Sequence, residues 1–247
     1  MIIDSHTHVD EVPALGWIDP PETLLRLMDE AGIAKSVIMT YTDLPGANPD
    51  ALEYIADIVA RHSDRFVGYA RLNPIHKDAA VQLLETAIVQ YGFKGLKLHP
   101  VSTLAHPADD GTAALIHKAA EHNAPTLFHC GDEPMTTPLT IAEVAEKCPE
   151  ATIILGHMGG YFHVDEAIEV AVRLPNILLE TSAMPYPGMI RKAVERIGAH
   201  RVLFASDGPG CDPSIEVEKV RLAGLTKEQE TLVFEENIRL LLEAVQH

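Results

Sequence analysis

The sequence has little of what builds disulfide scaffolds, membrane spans or nucleic-acid grips. Its 247 residues include three cysteines, Cys130, Cys148 and Cys211, scattered and without CxxC spacing. A disulfide framework or a thiolate zinc site is not expected, and the three read as buried or incidental thiols. No apolar run approaches the roughly 18 residues a membrane-spanning helix needs, and the first residues lack a basic stretch followed by an apolar one. The expected location is the cytoplasm. Basic residues are scarce, 19 against 36 acidic ones, for a formal charge of −17. Such a chain repels phosphate backbones, and no Lys/Arg cluster offsets the average, so neither nucleic acid nor membrane is an expected partner. Gly/Ser/Pro-rich linkers and low-complexity segments are also missing, and residues 1–247 are expected to form one domain.

What is present is a rhythm. A short apolar, β-branched run is followed by a polar loop and an amphipathic stretch, and the unit repeats. The strand candidates are 1–5, 36–40, 66–72, 93–99, 125–129, 152–156, 177–181 and 202–206. Strands alternating with helices imply right-handed crossovers and a parallel sheet. Alternation alone also permits an open, doubly wound sheet. Eight evenly spaced units in about 250 residues favour the α/β class closed as a single (β/α)8 TIM barrel, with room for slight distortion. Helix starts are marked by Asp19-Pro20, Asn48-Pro49, Thr137-Pro138 and Asp212-Pro213, and capping-box spacing occurs at Asp19/Glu22 and Thr226/Gln229.

In such a barrel the chemistry sits where the strands end. Here the ends carry His6 and His8, Lys97 and His99, His129, His157, and Asp207. His6 and His8 are two residues apart, so in an extended segment both side chains face one side with Cα atoms roughly 7 Å apart. Neutral imidazoles with a carboxylate suit a divalent transition metal. Alone the HxH pair is weak, and chance or ordinary hydrogen bonding explains most such pairs. Several imidazoles and a carboxylate aimed into one cavity are costly unless a cation holds them. Arg71 and Asn73 end the third strand, Tyr41 and Asp43 the second, and Thr181 and Ser182 the seventh. An arginine there suits a substrate carboxylate, with a structural salt bridge on the barrel rim as the reading ranked just ahead of it.

The segments Asp4-Ser5-His6-Thr7-His8, Gly95-Leu96-Lys97-Leu98-His99-Pro100, Gly156-His157-Met158-Gly159-Gly160 and Ala205-Ser206-Asp207 resemble the amidohydrolase superfamily. Within it they are most similar to the branch of predicted metal-dependent hydrolases related to aminocarboxymuconate-semialdehyde decarboxylase. The resemblance runs over essentially the whole chain. It implies His6, His8, His129 and Asp207 as metal ligands. It also implies Asp207 as proton carrier, and His157 as oxyanion stabiliser or ligand to a second metal. In some relatives a lysine at the place of Lys97 is carboxylated and bridges two metals, whereas the plain alternative is a cation held in the pocket. His99 and Arg71 are the candidates for contacting substrate. One or two divalent ions are implied, zinc first, with manganese, iron or cobalt also accepted by such ligands.

The first expectation is hydrolysis of a small organic amide, ester, lactone or related bond by metal-activated water. The runner-up is a metal-dependent, non-oxidative decarboxylase of a small unsaturated or aromatic acid, using much the same residues. Aromatic residues are only 5% of the chain and few fall near strand ends, which counts against it. A non-catalytic metal-binding relative ranks third. A homodimer is the default assembly.

Overall fold

The structure is a computed structural model that describes residues 1–13, 16–41 and 49–246. Asp43 and the Asn48 cap lie outside the described residues. Strands and helices alternate as the hydrophobic rhythm predicts: β1 (Ile3–His8), α1 (Pro21–Ala31), β2 (Lys35–Met39), α2 (Asp50–Arg61), β3 (Phe66–Gly68 and Ala70–Arg71), α3 (Asp78–Val89), β4 (Leu96–Leu98), α4 (Asp110–Glu121), β5 (Thr126–Phe128), α5 (Pro138–Lys147), β6 (Ile153–Leu155), α6 (Val164–Arg173), β7 (Ile177–Glu180), α7 (Pro187–Ile197), β8 (Val202–Leu203), α8 (Pro213–Leu222) and α9 (Asn237–Ala244). All neighbouring barrel strands pair in parallel.

The strands form two ladders, β1 to β3 and β3 to β8. They meet at Tyr69, where β3 changes partner. The Tyr69 N–H donates to Ile38 O at 3.0 Å, and the next one, on Ala70, donates to Gly95 O at 2.9 Å. The other seam, between β8 and β1, is closed by Ser5 N–H to Phe204 O (3.1 Å), Asp207 N–H to His6 O (2.8 Å) and His8 N–H to Gly208 O (2.7 Å). The result is a (β/α)8 barrel, and its closing bonds run through the very residues that end strands one and eight.

Side-chain alternation sorts the core into two layers. Ile38, Leu96, Leu98, Phe128, Ile153, Leu155 and Leu179 face outward onto the helices. Val37, Met39, Tyr69, Leu127, Ile154, Leu178 and Leu203 fill the interior, and Ile238, Leu241 and Leu242 of α9 plug the N-terminal end. The Tyr69 ring fits only because Gly95 faces it, since a Cβ there would sit 2.4 Å from Tyr69 Cζ. The same alternation turns Arg71, Lys97 and Glu180 inward above this apolar plug. In β1 the parity changes: Ile3 joins the interior cluster, yet His6 and His8 also face the cavity. The register shift between Asp4 and Thr7 is the local irregularity that permits both.

Thr137 and Asp212 cap their helices, and Thr226 with Gln229 forms the full capping box. Asp19 does not cap α1: the cap position is Pro20, without a side-chain bond. Asp19 instead ends an antiparallel hairpin, Asp10–Val12 with Trp17–Asp19, that the sequence rhythm did not signal. Among the described residues no helix is long and apolar enough to cross a membrane.

Candidate metal centre and active site

His6 and His8 reach the cavity with their tautomers already set. His6 Nδ1 lies 3.1 Å from Glu180 Oε1, and His8 Nδ1 lies 3.1 Å from the Thr40 carbonyl oxygen. Both partners accept only, so each ring carries its proton on Nδ1 and turns a lone pair outward on Nε2. Those two Nε2 atoms are 3.1 Å apart. Asp207 Oδ1 completes the cluster, 3.1 Å from His8 Nε2 and 3.5 Å from His6 Nε2. Two lone pairs and a carboxylate at such distances repel one another unless a cation lies among them. The donor chemistry therefore fits a divalent transition metal, with carboxylate and carbonyl groups behind the rings fixing their orientation.

The electrostatics point the same way. Burial, reinforced by the Lys97 charge, lowers the His6 pKa to about 3, despite the opposing pull of Asp207 and Glu180. Burial also lowers His8. For Asp207 burial pushes the pKa upward, but the neighbouring His6, His8 and His157 rings outweigh it and hold the carboxyl well below its ordinary range. The cluster is two neutral imidazoles and a carboxylate, the protonation states a metal requires. Lys97 Nζ sits 2.8 Å from His6 Nε2, aimed into the cluster rather than away from it.

His157 follows β6 in a left-handed turn, with φ of 57° for His157 and 48° for Met158. Asp207 is left-handed as well, at φ 60°. Non-glycine residues rarely adopt this conformation, and its cost of roughly 1–2 kcal/mol each is one that functional sites tend to carry. His157 Nδ1 lies 2.8 Å from Ser182 Oγ, and its Nε2 lies 3.1 Å from His129 Nδ1. His129 stacks on His99 with ring centroids 4.0 Å apart, and its Nε2 is 3.4 Å from Glu133 Oε2. Among the described residues His129 is not part of the tight His6, His8 and Asp207 group. It forms a second tier with His99, joined to the first by His157.

The residue that sequence reasoning missed is Glu180. Fully buried, it accepts from His6 Nδ1 (3.1 Å), the His157 N–H (2.8 Å) and Ser182 Oγ (2.9 Å) on Oε1, and from the Ser182 N–H (2.7 Å) on Oε2. Burial opposes its ionisation, but the His6 hydrogen bond and neighbouring donors overcome that and lower its pKa to about 2. A lone acid in the apolar run Ile177-Leu178-Leu179-Glu180 is the signal that marks it.

Arg71 is buried, with Nη2 3.2 Å from Ser102 Oγ and its guanidinium carbon 5.9 Å from the Tyr41 ring centre. Tyr41 lies edge-on to His8 at 5.3 Å and stacks on Trp17 at 3.6 Å, with 11° between the rings. The hairpin thus brings an aromatic wall to the metal cluster. Tyr161, Phe162 and Tyr186 form a second aromatic group on the loops after β6 and β7. Few aromatics fall near the strand ends in sequence, but the fold brings Trp17 to Tyr41 and so places more aromatic surface beside the cluster than that count suggests.

The buried imidazoles make stability pH-dependent. Burial first, then neighbouring cations, lowers His99 to about 2, and burial lowers His129 to about 4. Unfolded histidines bind protons near pH 6.5, whereas these four stay neutral in the fold. Their stabilisation is therefore whole above pH 6.5 and is lost as pH falls toward their folded values. Asp4 acts oppositely: burial raises it to about 7, so it releases a proton on unfolding and gains stability as pH falls. With four groups against one, unfolding takes up a net of about two to three protons in this range, so metal-free protein should lose roughly 3–4 kcal/mol per pH unit between about pH 6 and 4.5. Urea midpoints across that range test this, and a flat profile would sink it.

Residues 3–243 match the Amidohydrolase family model. No curated protein sequence matches. Among solved structures, 2,6-dihydroxybenzoate decarboxylase from Rhizobium is similar over 98% of each chain at 18% identity, with a TM-score of 0.81. 5-Carboxyvanillate decarboxylase from Sphingomonas paucimobilis is similar over 99% of each chain at 16% identity and a TM-score of 0.78. A dihydroxybenzoic acid decarboxylase from a Polaromonas species, solved with bound manganese, is 18% identical, covering 98% of this chain and 96% of that one at a TM-score of 0.79. These findings correct the hydrolase expectation in favour of the runner-up. The same ligand types serve both reactions, so the strand-end residues alone could not separate them. Zinc likewise loses its priority to a divalent metal of open identity. The match over nearly its whole length places this chain in the amidohydrolase family.

Proposed function

We propose that the chain is a metal-dependent, non-oxidative decarboxylase of a small aromatic or unsaturated acid. The observation that carries this reading is the convergence of His6 Nε2, His8 Nε2 and Asp207 Oδ1 beside the Tyr41–Trp17 stack and Arg71. The end-to-end likeness to aromatic-acid decarboxylases supports it.

In this reading His6, His8 and Asp207 hold the metal, with His129 as a further ligand. When bound, the metal supplies a Lewis-acid centre that neutralises substrate oxygens. Manganese is the first candidate, because a similar decarboxylase carries it. The Tyr41 face stacks the substrate ring, and Arg71 with His99 orients its polar substituents. Asp207 takes a proton from an acidic group of the bound substrate or from solvent. It delivers that proton to the carbon that loses the carboxylate. The carbon–carboxylate bond breaks, carbon dioxide leaves, and the electron pair ends in the new C–H bond. A carboxyl with a depressed pKa is a strong acid once protonated, which suits protonation of a weakly basic carbon. His157 donates toward the charge that develops on the ring substituents. Lys97 stands against the lone pair of His6 that a metal needs, so loading requires it to swing away or to be carboxylated.

Removing metal with a chelator should lower carbon dioxide release from hydroxylated benzoates at least about a hundredfold, in line with the Lewis-acid contribution. Manganese added back should restore it. Undiminished release from protein shown to be metal-free would end this reading.

A further inference from the structure

We propose a second, peripheral metal site on the outside of the barrel, made by His117, Cys148 and Glu150 and suited to a borderline-soft divalent ion such as zinc. This inference stands apart from the decarboxylase reading. His117 lies on α4, Cys148 caps the C-terminal end of α5, and Glu150 follows in the turn that leads to β6. One donor atom from each of the three lies within 4.8 Å of the others.

The main chain fixes the thiol. The Cys148 N–H donates to Val144 O at 3.0 Å, and the Cys148 carbonyl accepts from the Ala151 N–H at 3.1 Å and from Asn176 Nδ2 at 3.2 Å. Its Sγ faces His117 Nε2 at 3.5 Å. Zinc bonds of about 2.3 Å to sulfur and about 2.05 Å to nitrogen, at the tetrahedral angle, place the two donors about 3.5 Å apart. The pair already has the spacing of one tetrahedral edge. Glu150 Oε1 lies 2.5 Å from His117 Nδ1, which puts the ring proton there and leaves the Nε2 lone pair toward the thiol. The exposed Glu150 side chain rotates off Nδ1 to give the third donor, and water fills the fourth position. Thiolate and carboxylate together balance a divalent charge, and a chain of net charge −17 gathers cations around it. Burial raises the Cys148 pKa, so without an ion the thiol is protonated and binding releases that proton. CxxC spacing does not flag such a site, because its histidine comes from another helix.

Cobalt(II) alone, titrated into the metal-free full-length protein, tests this. A thiolate-to-cobalt charge-transfer band should grow in, saturate with one equivalent in His6→Ala and by two equivalents in the wild type, whose barrel centre also takes cobalt, and bleach when zinc displaces the cobalt. The band should vanish in Cys148→Ser and in His117→Ala, the latter a surface change that leaves the fold intact. Glu150→Gln should keep the band with about tenfold weaker binding. Both His6→Ala and the Cys130→Ser/Cys211→Ser double variant should retain it, which separates this site from the barrel centre. No band in the wild-type protein, or a band that survives Cys148→Ser or His117→Ala, overturns the proposal.

Discussion

Asp207→Asn should abolish decarboxylation, lowering kcat/KM by about 10³-fold or more, while leaving the barrel folded. Positioned acid–base groups contribute about 10²–10⁴-fold, and loss of a charged ligand adds to that. The variant is clean because asparagine tolerates the left-handed backbone of position 207 (φ 60°) better than almost any other non-glycine residue. The seam bond from the Asp207 N–H to His6 O belongs to the backbone and survives. Carbon dioxide release, measured beside metal content and a circular-dichroism melt, checks the result. Activity above a tenth of wild type, in variant protein that still melts normally, would remove Asp207 from its assigned role.

The second large effect is expected at Glu180, which touches neither substrate nor metal in this account. Its two oxygens take four hydrogen bonds in a fully buried position. In Glu180→Gln the shape is retained, but one oxygen becomes an NH2 group that can only donate. Whichever way the amide turns, it faces either the Ser182 N–H or the shared His6 and His157 donors. A buried donor left facing a donor, together with loss of the charge that ties His6 in place, should cost about 2–4 kcal/mol of stability. Because His6 Nδ1 loses its ionic acceptor, metal affinity should also fall about 10- to 100-fold. Urea unfolding and metal competition measure the two separately. A variant within about 0.5 kcal/mol of wild type and unchanged in metal affinity would show that Glu180 is not the hub of the cluster.

Periodicity made the barrel legible. The alternation of buried β-branched runs with amphipathic stretches is a long-range pattern, and the strands fall within a few residues of the expected spans. The hairpin of Asp10–Val12 and Trp17–Asp19 was not legible, because three-residue strands are too short to show a period. With it went the Trp17–Tyr41 stack, a contact that only the folded chain creates. The HxH spacing announces the approach of His6 to His8 even though the register shift in β1 changes which residues face inward. Glu180 escaped because the seventh strand was read to end on Thr181 and Ser182, one residue past the side chain that turns into the cavity. The offset of His129 into a tier with His99 depends on ring orientation, which spacing does not encode. The choice of reaction lay beyond the ligand residues altogether, since both reactions use histidines and a carboxylate around a divalent ion.

The most direct test of the central claim is isotopic. Metal-replete protein is incubated with hydroxylated benzoates in deuterated, oxygen-18-enriched water, and the products are analysed by mass spectrometry. The account predicts one carbon dioxide per product molecule, one deuterium on the carbon that carried the carboxylate, and no oxygen-18 bonded to that product. A product that gains oxygen-18 without releasing carbon dioxide would contradict it.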